Sequence, residues 1–136
     1  MRIGLIVPSS NTVMEPDFHR HFPSPAIVST TRIFLETVTR ESELRMLEDD
    51  LPKAIQLIKT TAPDVVVFGC TSAGALGTDD HIAEMIDQAT KAHPVTVLGA
   101  VITNLQRIAP RKLAVFTPYI DDLTARPHSR KPATRP

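Results

Sequence analysis

Several short runs in this sequence are apolar at every position, and they constrain the fold more than any other feature. Residues 3–7 read Ile-Gly-Leu-Ile-Val and are closed by Pro8, and residues 65–68 read Val-Val-Val-Phe. A strand with one face in water alternates apolar and polar side chains, whereas a strand that is apolar throughout is buried on both faces. Helices that connect parallel strands cover both faces of a sheet. The sequence therefore predicts an α/β domain built on a parallel sheet.

Helical patterns alternate with the predicted strands along the chain. Strands are predicted at residues 3–7, 26–31, 64–69, 95–98 and 113–116, and helices from residue 11 or 12 to 21, within 40–60, from 78, and at 100–108. Pro52 interrupts the pattern of residues 40–60, which predicts two helices or one with a break, the second part capped by Asp50. Thr78 is predicted to cap the helix that follows it. The acidic residues between 41 and 50 are interpreted as a solvated helix face.

Charge and proline are concentrated at the end of the chain. Residues 126–136 hold four of the 15 basic residues, three of the 12 prolines and no acid, so we predict a disordered tail there. Residues 1–125 then hold 11 basic and 15 acidic residues, a net charge of −4. A nucleic-acid-binding domain carries a basic face instead. We therefore predict one folded domain over residues 1–125 and no nucleic-acid partner.

The apolar runs are too short for a membrane span, which needs about 18 consecutive apolar residues. The first residues read as a strand and lack the apolar core of a signal peptide. The single cysteine, Cys70, cannot form an internal disulfide, which is typical of a reducing compartment. We predict a cytoplasmic protein without a membrane partner.

Small polar residues follow three of the predicted strands. In open parallel sheets, ligands bind at the carboxyl ends of the strands, where these loops meet. The polar candidates in the loops are Ser9, Ser10, Asn11, Thr71, Ser72 and Tyr119. Hydroxyl and amide donors in this arrangement suit a small carboxylate and stabilise an enolate-like charge. The sequence contains neither GxGxxG after the first strand nor a Walker motif, which disfavours a nucleotide.

Cys70 lies where the third predicted strand ends, and two interpretations of it stay open. Backbone N–H groups of the following residues 71–74 would favour a reactive thiolate. A lone cysteine at a strand end is, by composition alone, more often a small core residue. Asn11 could equally be a helix cap, and Tyr119 an ordinary half-buried ring.

Three segments together resemble the maleate cis-trans isomerase family of the aspartate/glutamate racemase superfamily, which also contains arylmalonate decarboxylase. These segments are residues 4–12 followed by Met14-Glu15, residues 67–72, and residues 117–119. The resemblance extends from residue 2 to about 125. It implies a flavodoxin-like open parallel sheet with helices on both faces, as one half of a two-domain, pseudo-symmetric racemase-type fold.

The resemblance also implies a site and a reaction. Cys70 would be the nucleophile whose thiolate adds to the double bond of maleate; rotation and expulsion of the thiolate would give fumarate. Asn11 and Tyr119 would hold the substrate carboxylates, and Thr71 and Ser72 would add donors. No metal, flavin or nucleotide cofactor is implied.

The sequence departs from the family in length. Family members are about twice as long, and their second half supplies another cysteine, whereas this chain has only Cys70. The expectation is therefore a truncated N-terminal half whose activity alone is in question. The alternatives are an amino-acid racemase, an arylmalonate decarboxylase, which typically has glycine in place of Cys70, and a non-catalytic half-domain that binds a dicarboxylate or a partner. A homodimer that places both copies of Cys70 across one cleft is a further hypothesis.

Overall fold

The central feature of the fold is a four-stranded parallel sheet, seen in a computed structural model that describes residues 1–119. Its strands are β1 (Arg2–Pro8), β2 (Ile27–Ile33), β3 (Val65–Phe68) and β4 (His93–Thr96). They lie in the order β2-β1-β3-β4, and every neighbouring pair is parallel. The predicted parallel α/β architecture is confirmed, with β1 and β3 at the centre of the sheet.

Helices connect the strands. They are α1 (Met14–His21), α2 (Arg40–Arg45), α3 (Leu51–Lys59), α4 (Thr71–Ala73), α5 (Asp79–Thr90) and α6 (Val97–Ile108). A π-helical turn, Met46–Asp50, joins α2 to α3, and a second one, Gly74–Thr78, joins α4 to α5. None of the helices among the described residues is long and apolar enough to cross a membrane.

Apolar side chains of the sheet pack in two layers, one on each face. Ile6 and Phe68 belong to the larger cluster, together with buried residues of α3 and α5 such as Ile55 and Ile86. Leu5 lies on the opposite face, in a second cluster covered partly by side chains of α1. Adjacent residues of β1 are thus buried on opposite faces, which explains why this strand is apolar throughout.

The predicted fifth strand at residues 113–116 does not form. Within residues 1–119 no strand follows β4, and Leu113, Val115 and Phe116 are 59%, 71% and 93% exposed. A strand requires a neighbouring edge for its backbone hydrogen bonds and a surface that buries its side chains. Residues 113–116 pair with no strand among residues 1–119, although β4 lies at the end of the strand order and has a neighbour on one side only, so their apolar pattern alone did not determine their structure.

Several predicted boundaries also differ. β4 ends at Thr96, whose hydroxyl accepts a hydrogen bond from the Gly99 backbone N–H, so α6 begins at residue 97 and not at 100. Thr78 is at the predicted N-cap position of α5, directly after the non-helical Gly77, but its hydroxyl makes no capping bond and donates to the carbonyl oxygen of Ala73 instead. Asp50 makes no capping bond, since a π-helical turn carries the chain into α3.

The end of the predicted domain, residues 120–125, and the predicted tail at 126–136 lie outside the described residues.

Candidate active site

Cys70 is placed by the central strand β3. The Gly69 backbone N–H donates to the carbonyl oxygen of Ile6 at 2.8 Å, which continues the pairing of β3 with β1. A Cβ at residue 69 would lie only 2.5 Å from Met14 Sδ, so glycine lets the strand end pack against α1. Cys70 itself is extended, and the next residue begins a helix. The thiol therefore lies at the carboxyl end of a central strand, 5% exposed.

A buried carboxylate contacts this thiol. Glu43, on α2, is fully buried, and its Oε1 and Oε2 lie 3.8 Å and 3.6 Å from Cys70 Sγ. Ser72 Oγ lies 3.3 Å from the same sulfur and donates a hydrogen bond to Glu43 Oε1. We call these three side chains the Cys70–Ser72–Glu43 cluster. The helix that carries Glu43 begins with a capping box: the Ser42 backbone N–H donates to Thr39 Oγ1, and the Thr39 backbone N–H donates to Ser42 Oγ.

Burial dominates the electrostatics of this cluster. Burial raises the pKa of the Cys70 thiol, hydrogen bonds from Ser72 and from the Ala73 backbone lower it, and Glu43 raises it, so that the pKa is about 11. Burial also raises the pKa of Glu43, against hydrogen bonds from Ser72 and Cys70 that lower it. Within residues 1–119 no cation forms an ion pair with Glu43. The resting thiol is protonated, so the expected effect of the backbone N–H groups is outweighed.

Tyr119 faces the same cluster. Burial raises the pKa of its phenol, as do the charges of Cys70 and Glu43, whereas a hydrogen bond with Thr71 lowers it. The phenol therefore remains protonated at neutral pH and can donate a hydrogen bond to an anion. The structure thus brings together four of the predicted site residues, Cys70, Thr71, Ser72 and Tyr119.

The loop after β1 is held by its own polar side chains. Ser9 Oγ accepts from the Leu35 backbone N–H at 3.1 Å, and Ser10 Oγ donates to the Leu35 carbonyl oxygen at 3.4 Å. Asn11 Oδ1 accepts two backbone N–H groups at the start of α1, each at 3.0 Å, so Asn11 does act as a cap. Arg32 donates to the Asn11 carbonyl oxygen at 2.7 Å. The Asn11 amide donors take no part in the cap, and substrate binding by this loop stays a prediction.

Glu43 is the site residue that the sequence interpretation missed. The acidic residues between 41 and 50 were interpreted as a solvated face, which is wrong for Glu43 because it is fully buried. The spacing of the sequence indicates that Glu43 is buried, because it precedes the buried residues Met46 and Leu47 by three and four positions. Residues at these spacings share one helix face.

The raised pKa of Cys70 predicts a loss of stability at alkaline pH. Below pH 9 the thiol is protonated in both states; as pH rises from 9 to about 11, the unfolded chain loses its proton before the folded one does. The free energy of unfolding should therefore fall by about 3 kcal/mol between pH 9 and pH 11, since each unit of pKa difference corresponds to ~1.4 kcal/mol. Denaturant unfolding across the range measures it, with Cys70→Ser as control. If the free energy of unfolding of the wild type and of Cys70→Ser fell equally with pH, the prediction would be contradicted.

No protein-family model matches the sequence. A maleate isomerase of Nocardia farcinica is 27% identical over 134 residues, which are 90% of this chain and 53% of that protein. The chain thus spans about half the length of the curated relative.

Solved structures agree with this match. The Nocardia farcinica maleate cis-trans isomerase, as a mutant with a covalently bound succinylcysteine intermediate, superimposes with a TM-score of 0.76 at 27% identity and covers 90% of this chain and 55% of its own. A liganded double mutant of arylmalonate decarboxylase gives a TM-score of 0.78 at 25% identity, covering 90% and 53%. The resemblance predicted from the loop motifs is confirmed. The chain is therefore a homologue of maleate isomerases, corresponding to about half of their length and sharing the racemase-type α/β fold.

Proposed function

We propose that this chain is the nucleophile-bearing half of a cofactor-independent isomerase that converts maleate to fumarate. The observation that carries the proposal is the position of Cys70, at the carboxyl end of a central strand in a fold matched by an isomerase that carries a succinylcysteine. Carboxyl ends of parallel strands are the usual place for ligands in such sheets.

The proposed reaction is addition and elimination at one double bond. A sulfur–carbon bond forms between Cys70 and one olefinic carbon, and the π electrons move to the other carbon, where the adjacent carboxylate stabilises them. The remaining carbon–carbon single bond rotates, and expulsion of the thiolate restores the double bond in the trans geometry. Thr71, Ser72, Tyr119 and Asn11 are proposed to hold the carboxylates, with Ser9 and Ser10 shaping the loop beside them.

The rest of the pocket is proposed to come from a second half-domain. The chain spans about half of the relative it matches, so the activity of a whole enzyme is assigned here only as part of the proposal. The second half-domain belongs either to a further part of the protein or to a second copy of this chain. The proposed setting is the cytoplasm, with a small dicarboxylate as the ligand.

Intact-protein mass spectrometry after incubation with maleate tests the proposal, together with proton NMR for fumarate. A mass gain of one maleate on the wild-type chain is expected, and it locates the covalent step in this half. Decarboxylation of an arylmalonate without a maleate adduct would assign the chain to the decarboxylase alternative. Saturable maleate binding without an adduct would assign it to the non-catalytic binding alternative.

A further inference from the structure

Glu43 is a buried charged group that the proposed reaction does not yet use. Its carboxylate is fully buried and contacts both the Cys70 sulfur, at 3.6 Å, and the Ser72 hydroxyl. Burying a carboxylate without a cation costs free energy, and none of the ion pairs in the described residues involves Glu43. A carboxylate beside a thiol also opposes formation of the thiolate. The cost of burying the carboxylate and its repulsion of a thiolate both disfavour a glutamate at this position unless Glu43 takes part in the reaction.

We propose that Glu43 is the proton acceptor for the Cys70 thiol when the sulfur attacks, with Ser72 as a proton relay. The inference rests on the proposed function for the identity of the electrophile. Glu43 touches the reacting sulfur, so it is a catalytic residue in this scheme.

The proton has two short routes in the cluster. It passes directly from Sγ to Glu43 Oε2, which are 3.6 Å apart, or through Ser72, whose hydroxyl gives its proton to Oε1 and takes the thiol proton across 3.3 Å. The sulfur electron pair then forms the bond to carbon while the π pair moves to the neighbouring carbon. When the sulfur is expelled, the electron pair returns to it and the proton goes back from Glu43.

Charge conservation explains why a buried base suits this thiol. If Cys70 lost its proton to water, two negative charges would lie beside each other in a buried site. Transfer to Glu43 keeps the net charge of the cluster at −1 throughout. Burial raises the pKa of Glu43, which brings it nearer to that of the thiol and makes the transfer less unfavourable.

A Glu43 that only repels the thiolate and a Glu43 that accepts its proton predict opposite effects of the Glu43→Gln substitution. If Glu43 only repelled the thiolate, Glu43→Gln would lower the pKa of Cys70 and make it more reactive. If Glu43 accepts the proton, the same variant would make Cys70 less reactive at neutral pH. Glutamine has nearly the same shape and can still accept the hydrogen bond from Ser72, so the variant is expected to fold; a thermal unfolding curve checks this.

The test is the rate of Cys70 alkylation by iodoacetamide as a function of pH. In the wild-type chain the rate should rise as Glu43 ionises, reach a plateau, and rise again as the thiol titrates near pH 11. Glu43→Gln should lack the plateau and react about 10²-fold more slowly at neutral pH. Among residues 1–119, Tyr119 is the other titratable group that faces the thiol, and its raised pKa keeps its titration above the neutral plateau.

Two further variants make the test specific. Glu41→Gln removes an exposed carboxylate from the same helix and should behave as the wild type. Ser72→Ala keeps Glu43 but removes the relay, and it should lower the plateau; it also carries the test if Glu43→Gln does not fold. Faster alkylation of Glu43→Gln than of the wild type at neutral pH, with a single titration in both, overturns the proposal.

Alkylation requires no dicarboxylate, so the experiments can contradict the role of Glu43 as proton acceptor without contradicting the proposed isomerase function, and the reverse. A plateau that depends on Glu43, without a maleate adduct, supports the proton acceptor and removes the isomerase. A maleate adduct that forms equally fast in Glu43→Gln supports the isomerase and overturns the proton acceptor.

Discussion

Replacing Cys70 with serine is expected to abolish adduct formation with maleate and any isomerisation that the wild-type chain shows. A serine hydroxyl is a far weaker nucleophile at neutral pH than a thiol with a neighbouring base. Loss of the nucleophile from an active site whose residues act together reduces turnover on the order of 10⁶-fold, which leaves no measurable activity. Intact mass and fumarate NMR on both proteins measure the effect.

The Cys70→Ser variant is a controlled change because it preserves the surroundings of the side chain. Serine is slightly smaller than cysteine and can still hydrogen-bond to Ser72 and Glu43, so the buried cluster keeps its connections. A matching thermal unfolding curve at neutral pH would show that the fold is retained. An adduct of unchanged yield in this variant would locate the nucleophile elsewhere and remove Cys70 from that role.

Phe68→Ala is expected to destabilise the fold by about 3–5 kcal/mol, the usual cost of truncating a buried phenylalanine. Phe68 is fully buried at the end of β3, in the larger of the two apolar clusters. A domain of this size has a free energy of unfolding of roughly 5–15 kcal/mol, so the loss is a large fraction of the total. Denaturant unfolding at neutral pH measures it.

Phe116 provides the matched control for this substitution. It is 93% exposed, so Phe116→Ala should change the free energy of unfolding by no more than about 0.5 kcal/mol. Phe68 also lies two residues before Cys70, so the variant should disturb the thiol and increase its accessibility to alkylating reagents. Equal costs for the two substitutions would contradict the packing described for β3.

Much of the fold was predictable from local pattern. Residues 3–7 are apolar at every position because β1 contributes side chains to both layers of the core, as Leu5 and Ile6 show. Parallel strands bring their carboxyl ends to one edge, so the same pattern indicated that Cys70 and Ser72 would lie at the edge where ligands bind. The loop motifs then indicated the family, which the comparisons confirm.

Other features were not encoded locally. The segment at 113–116 has a strand-like composition, yet it is exposed and pairs with no strand among residues 1–119; whether a segment docks on a sheet depends on tertiary contacts that composition does not reveal. Thr78 and Asp50 precede helices and have the residue types of helix caps, but neither side chain makes a capping hydrogen bond. In both cases the tertiary context outweighed a valid local preference.

The sequence by itself determined the parallel α/β fold, the resemblance to maleate isomerases, and the position of Cys70 at a strand end, because each depends on residue patterns within a short stretch. Only the tertiary structure decided the surroundings of that thiol. Glu43 lies 27 residues before Cys70, and the packing of α2 against α4, the short helix that begins directly after Cys70, brings the two side chains together. The pKa of the thiol depends first on burial, which the Ser72 hydrogen bond opposes and the Glu43 charge reinforces, and burial is a property of the packed molecule and of no single segment.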